Sequence, residues 1–360
     1  MGEPKRIGIL TSGGDCAGLN AVIRAVVNRA VREYDWEVLG IKSATIGLLN
    51  RPPLAIPLKL HDADSLLTQG GTILGTTNKG DPFAFPMSDG TIKDRSEEII
   101  AGYHQLGLDA LIGIGGDGSL AILRRLAQQG NIKLIGIPKT IDNDVGHTEL
   151  SIGFSTAVDI ATEALDRLHF TAASHDRVMV LEVMGRDAGH IALRAGVAGG
   201  AHVILIPEIP YHLEKVCQKI RDRQDAGLHF SIIVVSEAVC TAEGDTLQKL
   251  QQFGECRLGG IGQYVADSIS KCTGAETRVT VLGHIQRGGR PSAMDRILAS
   301  AFGIAAVDLI AHGKEDLMVA WRDSQVINIP IAEAIKDYRT VNSQDTLVKT
   351  ARGLGICLGD

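Results

Sequence analysis

Two aspartates one residue apart form the first group of residues that could do chemistry. An apolar run ends at Ile137 and is followed, after a proline, by KTIDND. On extended backbone Asp142 and Asp144 would point to the same side, so one carboxylate could accept a proton from a substrate hydroxyl while the other orients it. Thr140 adds a hydroxyl group, and Lys139 adds a positive charge suited to a phosphate. The alternative is a polar turn that caps the following helix.

Two glycine-rich loops each follow a predicted strand. In TSGGDCAGLN, Gly13 and Gly14 would let the backbone approach a phosphate at the start of a helix. In GGDGS, Gly115 to Ser119, the aspartate Asp117 could hold the Mg²⁺ that neutralises phosphates. Each loop alone could also be a tight turn between a strand and a helix.

Four arginines flank predicted strands: Arg177, Arg186, Arg278 and Arg287. A single surface arginine is usually solvated. Four in a chain of net charge −6 indicate a clamp for an anionic ligand, because the guanidinium fork matches phosphate oxygens. The carboxyl ends of three predicted strands also carry Met184, Gly185, Glu237 and His284.

Composition and charge exclude several classes of protein. The chain has 360 residues, 44% of them hydrophobic and 22% charged, with acids and bases interleaved. No segment is basic enough to indicate nucleic acid or an anionic membrane as a partner. The apolar runs are far shorter than a membrane span of about 20 residues. With no signal peptide before the first predicted strand, we expect a cytoplasmic protein whose six scattered cysteines are reduced.

Almost continuously apolar strands alternate with helical periods. The predicted strands are RIGILT, ALIGIG, IKLIGI, RVMVLEV, HVILIP, FSIIVV and RVTVLG, and helices are predicted over Ala17–Arg32, Ser119–Gln129 and Ser155–Leu168. Such strands are typical of parallel sheets covered by helices on both faces. So many units predict two doubly wound domains, with a boundary near residue 150 and a return near residue 285.

In this order, TSGGDCAGLNAVIR, GGTILG, GGDGS, PKTIDND, EVMGRDAG and LGHIQRGG resemble the 6-phosphofructokinase family, from about Arg6 to about Gly313. The resemblance implies an α/β fold of two doubly wound, mainly parallel sheet domains with the active site in the cleft between them. Residues 1–153 plus 286–318 would hold the phosphate donor, and residues 154–285 plus 319–360 would hold fructose 6-phosphate. The implied reaction moves a phosphoryl group from Mg-ATP to the sugar 1-hydroxyl, giving fructose 1,6-bisphosphate and ADP in glycolysis.

The resemblance also implies roles for single residues. Asp142 would take the proton from the 1-hydroxyl, Arg186 would stabilise developing charge, and Thr140 would contact the transferred phosphate. Asp117 would bind Mg²⁺. The implied donor residues are Gly13, Gly14, Asn78, Lys79, Gly116, Asp117, Gly118 and Ser119. The implied substrate residues are Thr140, Ile141, Asp142, Arg177, Met184, Gly185, Arg186, Glu237, Arg278, His284 and Arg287.

Two of those residues bear on assembly. In the family, the positions of Arg177 and Arg278 complete the sugar-phosphate site of a neighbouring subunit. The resemblance therefore implies a homotetramer or homodimer and an inactive monomer.

Two positions bear on the donor, which is ATP or pyrophosphate in the family. Pyrophosphate users typically carry aspartate at the position of Gly118, where it fills the space of the nucleotide's α-phosphate. Lys139, however, is typical of pyrophosphate users. We favour ATP, because aspartate would exclude the nucleotide by sterics and repulsion, whereas lysine repels neither donor. Asn78 replaces an arginine common in ATP-dependent relatives, and Lys79 could supply its charge.

Bacterial relatives bind ADP or phosphoenolpyruvate in a basic effector pocket. Arg24 matches one of its arginines, but Asn28, His169 and Leu228 replace other basic residues and His202 replaces an acidic one. We therefore predict an altered or absent effector response.

Two other classes of function compete with this interpretation. A lipid or NAD kinase would share GGDGS, but MGR and GHIQRGG serve a sugar phosphate. A sugar-phosphate sensor without activity would not be expected to keep Asp117, Asp142 and Arg186.

Overall fold

The computed structural model describes residues 5–242, 244–250 and 256–360. The strands are β1 Arg6–Thr11, β2 Glu37–Ile41, β3 Ala55–Pro57, β4 Phe85–Pro86, β5 Ile92–Lys93, β6 Ala110–Gly115, β7 Leu134–Pro138, β8 Val178–Val183, β9 Val203–Leu205, β10 Ser231–Ser236, β11 Gln248–Leu250, β12 Cys256–Leu258, β13 Thr277–Val281, β14 Leu317–Arg322 and β15 Gln325–Pro330. The α-helices are α1 Leu19–Tyr34, α2 Ile46–Leu49, α3 Leu60–Ala63, α4 Ser96–Gln105, α5 Asp117–Gly130, α6 Phe154–His175, α7 His190–Ala198, α8 Leu213–Asp225, α9 Ile261–Thr273, α10 Ala293–Ala311, α11 Ile331–Ala334 and α12 Thr346–Gly353. Two 3₁₀ helices span Asp64–Thr68 and Gly283–Arg287.

The first of two compact units runs to Thr140 and includes Asp144–Thr156 and Arg287–Tyr338. Its sheet has the strand order β15-β14-β7-β6-β1-β2-β3. The inner pairs are parallel, and the antiparallel strands β15 and β3 close the two ends. Ile7 and Ile9 of β1 are fully buried, as expected for a strand covered on both faces.

The second unit consists of Ile141–Asn143, Ala157–Gln286 and Arg339–Asp360. Its main sheet has the order β13-β8-β10-β9, and all of its pairs are parallel. A core of β-branched and other aliphatic side chains from β8, β9, β10 and α9 holds it together. The prediction of two mainly parallel α/β sheets is therefore confirmed.

The predicted strands and helices lie where the apolar patterns put them. RIGILT and ALIGIG coincide with β1 and β6, and the other predicted strands begin or end within two residues of β7, β8, β9, β10 and β13. The main difference is in the third helix, α6, which continues to His175. None of the helices in the described ranges combines the length and apolar character needed to cross a membrane.

The division of the chain differs from the prediction in its last part. Residues 319–338 were expected in the second domain, but they belong to the first unit. The reason is that β14 pairs with β7 and β15 pairs with β14, so this hairpin extends the first sheet. We predicted that the chain passes from one unit to the other at residues 153/154 and 285/286. In the structure these passages lie at 156/157 and 286/287.

The expectation that all cysteines are reduced is wrong for two of them. Cys217 on α8 and Cys272 on α9 form a disulfide, with their Cα atoms 6.4 Å apart. These residues are 55 positions apart in the sequence, and only the packing of α8 against α9 brings them together. Cys16, Cys240 and Cys357 are free thiols.

Candidate active site

The first glycine loop follows β1 and is held by a neighbouring segment. The Gly13 amide donates to the carbonyl of Thr77 at 2.9 Å, and the Thr76 hydroxyl donates to the carbonyl of Gly13 at 2.6 Å. Gly13 has a φ of 82°, which favours glycine. These bonds place the predicted donor residues Asn78 and Lys79, both exposed, in the segment beside this loop.

Lys139 connects the first glycine loop to the loop after β7. Its side chain is buried, and Nζ donates to the carbonyl oxygen of Gly14 at 2.5 Å. Its backbone amide donates to the carbonyl of Gly115 at 3.0 Å. The carboxyl ends of β1, β6 and β7 therefore meet around one buried ammonium group, at the edge where open parallel sheets bind ligands.

The second glycine loop leads into the N-terminus of α5. Asp117 is the first residue of that helix and is half-buried. A Cβ at Gly118 would meet no atom within 4 Å, whereas a Cβ at Gly13 would lie 3.0 Å from the Ser119 hydroxyl. The loop therefore has one packed side, next to Gly13, and one open side at Gly118. An open helix N-terminus suits phosphate groups.

Asp117 is suited to bind a magnesium ion whose other ligands are substrate phosphates, and not one bound by protein side chains alone. No cluster of three or more His, Cys, Asp or Glu side chains in the described part of the chain could hold a metal. Mg²⁺ in phosphoryl-transfer sites is commonly bound by one or two carboxylates plus substrate phosphates. One carboxylate beside open space at Gly118 matches that donor set.

Arg287 lies in the first unit, although the sequence grouped it with the sugar-phosphate residues. Its guanidinium donates to the carbonyl of Asp15 at 3.2 Å. A Cβ on Gly14 would come within 2.7 Å of the same guanidinium, so a side chain at position 14 would displace Arg287 from this position. Arg287 and Lys139 thus place two positive charges beside one glycine loop.

The two aspartates of KTIDND are buried. Asp142 is 6% exposed and Asp144 is 1% exposed. Ile141–Asn143 belong to the second unit, whereas Thr140 and Asp144 belong to the first.

The aspartates do not cap the helix that follows, which was the alternative interpretation. That helix, α6, begins ten residues later at Phe154. The first amides of this region, those of Gly153 and Thr156, donate to the buried carboxylate of Asp295 at 2.9 and 2.8 Å. Asp142 and Asp144 are therefore buried acids that lie ten or more residues before the first residue of α6.

In the second unit, three successive backbone amides after β8 are taken by side chains from the flanking strand ends. The Met184 amide donates to Oε1 of Gln286 at 2.8 Å. The amides of Gly185 and Arg186 donate to Oε1 of Glu237 at 3.3 and 3.1 Å. Arg186 has a φ of 49°, a left-handed conformation that is uncommon outside glycine. We call residues 184–186 the MGR loop.

His284 belongs to the 3₁₀ helix that follows β13, and its side chain is exposed. β13 and β10 both neighbour β8 in the sheet. The structure therefore brings together, at one carboxyl edge, the segments that carry Met184, Glu237 and His284.

Arg177 and Arg278 lie at the opposite edge of the same sheet. Arg177 directly precedes β8 and Arg278 is the second residue of β13, and both pair with the carboxylate of Glu276. Hydrogen bonding to Arg177 holds the pKa of Glu276 below its usual value. A strand of this length spans about 20 Å. These arginines are therefore not part of the cluster around the MGR loop of their own chain.

Cys16 lies directly after the first glycine loop and is fully buried. Its thiol donates to the carbonyl of Ile152 at 3.2 Å. Burial raises the pKa of Cys16 to about 12, although the nearby Lys139 partly opposes the shift. The thiol is therefore protonated at neutral pH.

The residues matched to an effector pocket lie in two places. In the first unit, α1 and α10 enclose a cavity of about 350 Å³. Its lining includes Arg24, Asn28, Arg29, Arg32, Glu33 and Ser300. Arg29 is paired with Asp308, at 2.7 Å.

In the second unit, the effector-matched histidines are packing residues. His169 and His202 both pack edge-on against Phe230. Burial lowers the pKa of His202 to about 4. Leu228 is 48% exposed.

The sequence did not single out Gln286 or Asp295. Gln286 is 1% exposed and Asp295 is fully buried. The signal for Gln286 was its place inside GHIQRGG, between two residues that were singled out. Asp295 lies eight residues beyond the nearest quoted arginine, Arg287, and nothing in the pattern marked it.

Glycine loops, a helix N-terminus and a buried lysine at the carboxyl edge of a parallel sheet define an α/β phosphate-binding protein. The family described as Phosphofructokinase matches residues 6–310, and the chain belongs to that family.

The chain is also similar to named relatives. It is 71% identical, over the full length of both chains, to ATP-dependent 6-phosphofructokinase 1 of Synechocystis sp.. It is 68% identical, again over both full lengths, to ATP-dependent 6-phosphofructokinase 1 of Nostoc sp.. Among solved structures, phosphofructokinase from Saccharomyces cerevisiae is 28% identical with a TM-score of 0.77, over 92% of this chain and 45% of the longer yeast chain.

Proposed function

We propose that this chain is a cytoplasmic ATP-dependent 6-phosphofructokinase. It transfers a phosphoryl group from Mg-ATP to the 1-hydroxyl of fructose 6-phosphate, giving fructose 1,6-bisphosphate and ADP. One observation supports the part of this proposal that concerns the phosphate donor. The ammonium of Lys139 donates to the carbonyl of Gly14, and Gly13 lies against the hydroxyl of Ser119. The segments that follow β1, β6 and β7 therefore lie together and could surround a phosphate. The names of the Synechocystis and Nostoc relatives support the acceptor.

The first unit holds the donor. Gly13, Gly14, Gly116 and Ser119 present backbone and hydroxyl donors to its phosphates, and Asn78 and Lys79 extend this surface. Asp117 holds the Mg²⁺, which when bound neutralises phosphate charge. Gly118 leaves room for the α-phosphate of a nucleotide, since nothing lies within 4 Å of a Cβ there.

The second unit holds the sugar phosphate. Met184, Gly185, Glu237 and His284 contact fructose 6-phosphate, with Ile141 beside Asp142. Arg287 keeps its predicted role as a contact to the sugar phosphate, because a guanidinium pairs well with phosphate oxygens.

The chemistry needs a base and charge stabilisation. Asp142 accepts the proton of the sugar 1-hydroxyl. The hydroxyl oxygen attacks the γ-phosphorus of ATP, and the bond between that phosphorus and the β,γ-bridging oxygen breaks, which releases ADP. Arg186 and Thr140 stabilise the charge that develops on the transferred group. A positioned base contributes about 10²–10⁴ in rate, and positioning of the reactants contributes much of the remainder.

Arg177 and Arg278 act on a second copy of the chain. They lie at the amino edge of the sheet, whereas the MGR loop lies at the carboxyl edge, so they cannot complete the site of their own chain. We propose that they reach the sugar phosphate bound by a neighbouring subunit in a homotetramer or homodimer.

A coupled assay with ATP, ADP and pyrophosphate as donors tests the function. We expect turnover of fructose 6-phosphate with Mg-ATP and at most about one hundredth of that rate with pyrophosphate, a ratio that corresponds to about 2.7 kcal/mol. The specific reason to include pyrophosphate is Lys139, which is typical of enzymes that use it. Faster turnover with pyrophosphate than with ATP would replace the proposed donor. No turnover with any of the three would refute the kinase assignment.

A further inference from the structure

The MGR loop has no regular hydrogen bonding of its own across its three amides. Met184 is held from the β13 side by Gln286, and Gly185 and Arg186 are held from the β10 side by Glu237. The Met184 bond is the shortest of the three at 2.8 Å. Two side chains that flank the loop therefore hold its three backbone amides.

The loop needs this support because its backbone is unusual. Gly185 has a φ of 159° and Arg186 a φ of 49°. A Cβ on Gly185 would lie 2.5 Å from the carbonyl oxygen of Ala188, so any larger residue at position 185 would clash with the backbone of the loop. A non-glycine residue in the left-handed region persists only where its surroundings hold it.

Gln286 is suited to hold the loop permanently. Its side chain is 1% exposed, so neither water nor a ligand in solution readily replaces its bond to Met184. It is also uncharged, so it adds no negative charge beside a site for an anionic substrate. Its Oε1 atom accepts the bond from Met184, and within the described residues its Nε2 atom has no hydrogen-bond partner.

Gln286 also belongs to the 3₁₀ helix that carries His284. The bond to Met184 therefore joins two segments that carry proposed sugar-phosphate residues, one after β8 and one after β13. A change in that bond would alter the spacing between Met184 and His284 without removing either side chain.

We propose that Gln286 is a positioning residue for the fructose 6-phosphate site, acting through the backbone of Met184 on the MGR loop and on Arg186. This inference rests on the proposed function, because the substrate it positions is the proposed one. Gln286 itself makes no contact that we assign to the reacting groups.

The test is Gln286→Met, which keeps the length and volume of the side chain and removes the acceptor. The control is Gln263→Met on α9, where an exposed glutamine donates to the carboxylate of Asp267, one turn along the same helix. We expect KM for fructose 6-phosphate to rise about tenfold in Gln286→Met, with KM for ATP within about twofold of the unchanged enzyme. The Gln263→Met control should match the unchanged enzyme in both constants.

A readout independent of activity is hydrogen exchange at the Met184 amide. We expect this amide to exchange faster in Gln286→Met than in the unchanged protein, and to stay protected in Gln286→Glu, which retains an acceptor oxygen of similar reach. The Gln286→Glu variant also keeps the test decisive if Gln286→Met does not fold.

Several outcomes would overturn the inference. They are unchanged exchange at Met184 in Gln286→Met, faster exchange without a change in KM for fructose 6-phosphate, and equal rises in KM for both substrates. Loss of protection at Met184 in Gln286→Glu would do the same. Failure of the unchanged protein to phosphorylate fructose 6-phosphate would instead overturn the proposed function, and the exchange experiment would still decide whether Gln286 holds the loop.

Discussion

The ammonium group of Lys139 donates a hydrogen bond to the carbonyl oxygen of Gly14, with 2.5 Å between the two atoms. Gly14 follows β1 and Lys139 follows β7, so this bond crosses the carboxyl edge of the first sheet. The lysine is buried, and its charge is fixed next to the loop that we assign to the donor phosphates. Lys139 therefore places a positive charge beside this loop, and the role of Gly118 in deciding the donor stays a prediction.

Replacing Asp142 by serine removes the proposed proton acceptor. We expect kcat to fall by about 10² or more, with a smaller change in KM for fructose 6-phosphate, because the loss concerns the proton transfer. Steady-state kinetics measures both constants. Asp166→Ser, at an exposed position of α6, is the matched control. Comparable turnover in Asp142→Ser would remove Asp142 from the role of base.

Replacing Gly118 by aspartate should abolish the use of ATP. The protein should still fold, because a Cβ at this position meets nothing within 4 Å. The new carboxylate would occupy the space of the α-phosphate and repel it. Gly353→Asp in α12, which also has open space, is the control and should keep its activity. ATP turnover at the original rate in Gly118→Asp would contradict the steric argument.

Two inactive variants should restore activity when they are mixed. Arg278→Ala removes an arginine proposed to serve a neighbouring site, and Asp142→Ser removes the base from its own site. Co-refolding or co-expressing the two variants should give hybrid oligomers in which some sites have both residues. The specific activity of the mixture, compared with each variant refolded alone, measures this. If the mixture is no more active than its components, each site is complete within one chain.

Cys16 should resist alkylation in the folded protein. A pKa of about 12 keeps its thiol protonated at pH 8, and the residue is fully buried. Iodoacetamide followed by mass spectrometry should label the half-buried Cys240 first and Cys16 only after unfolding. Because the pKa of Cys16 is raised from 9.0 on folding, its contribution to stability is complete below pH 9.0 and is lost as pH rises toward 12. Rapid labelling of Cys16 at pH 8 would contradict its burial.

The response to ADP should be weak or absent. In the second unit, His202 is neutral because burial lowers its pKa to about 4, and Leu228 offers no charge. In the first unit, Arg29 is paired with Asp308, which reduces the charge available in the cavity between α1 and α10. Saturation curves for fructose 6-phosphate with and without ADP measure the response. Strong activation by ADP would refute the prediction.

The seven predicted strands, three in the first sheet and all four of the main second sheet, could be predicted because they are almost continuously apolar and end at glycine or polar residues. The strands β2, β3, β14 and β15 of the first sheet were not predicted. β1 and β6 match their predicted bounds, and the candidate residues after them form one cluster, as the rule for open parallel sheets requires. Local pattern was sufficient for these elements because burial on both faces leaves a strong signal in the sequence.

The features that were missed depend on contacts between distant parts of the chain. Cys217 and Cys272 carry no recognisable spacing, and only the packing of two helices shows that they pair. β14 pairs in parallel with β7 at Leu317 and Ile135, a register that no local pattern encodes. Gln286 was overlooked because glutamine is common on surfaces, and its burial follows from the three-dimensional position of Met184.

The placement of β14 and β15 has a consequence for synthesis on the ribosome. The first sheet begins with β1 but gains its last two strands from residues 317–330, and α10, which packs on α1, also comes late. The second unit in turn takes its final segment from Arg339–Asp360. In this segment the backbone of Cys357 forms a parallel β-bridge with Val203. Neither unit can complete its architecture until almost the whole polypeptide has left the exit tunnel, so translation that stops before residue 317 would yield two unfinished units.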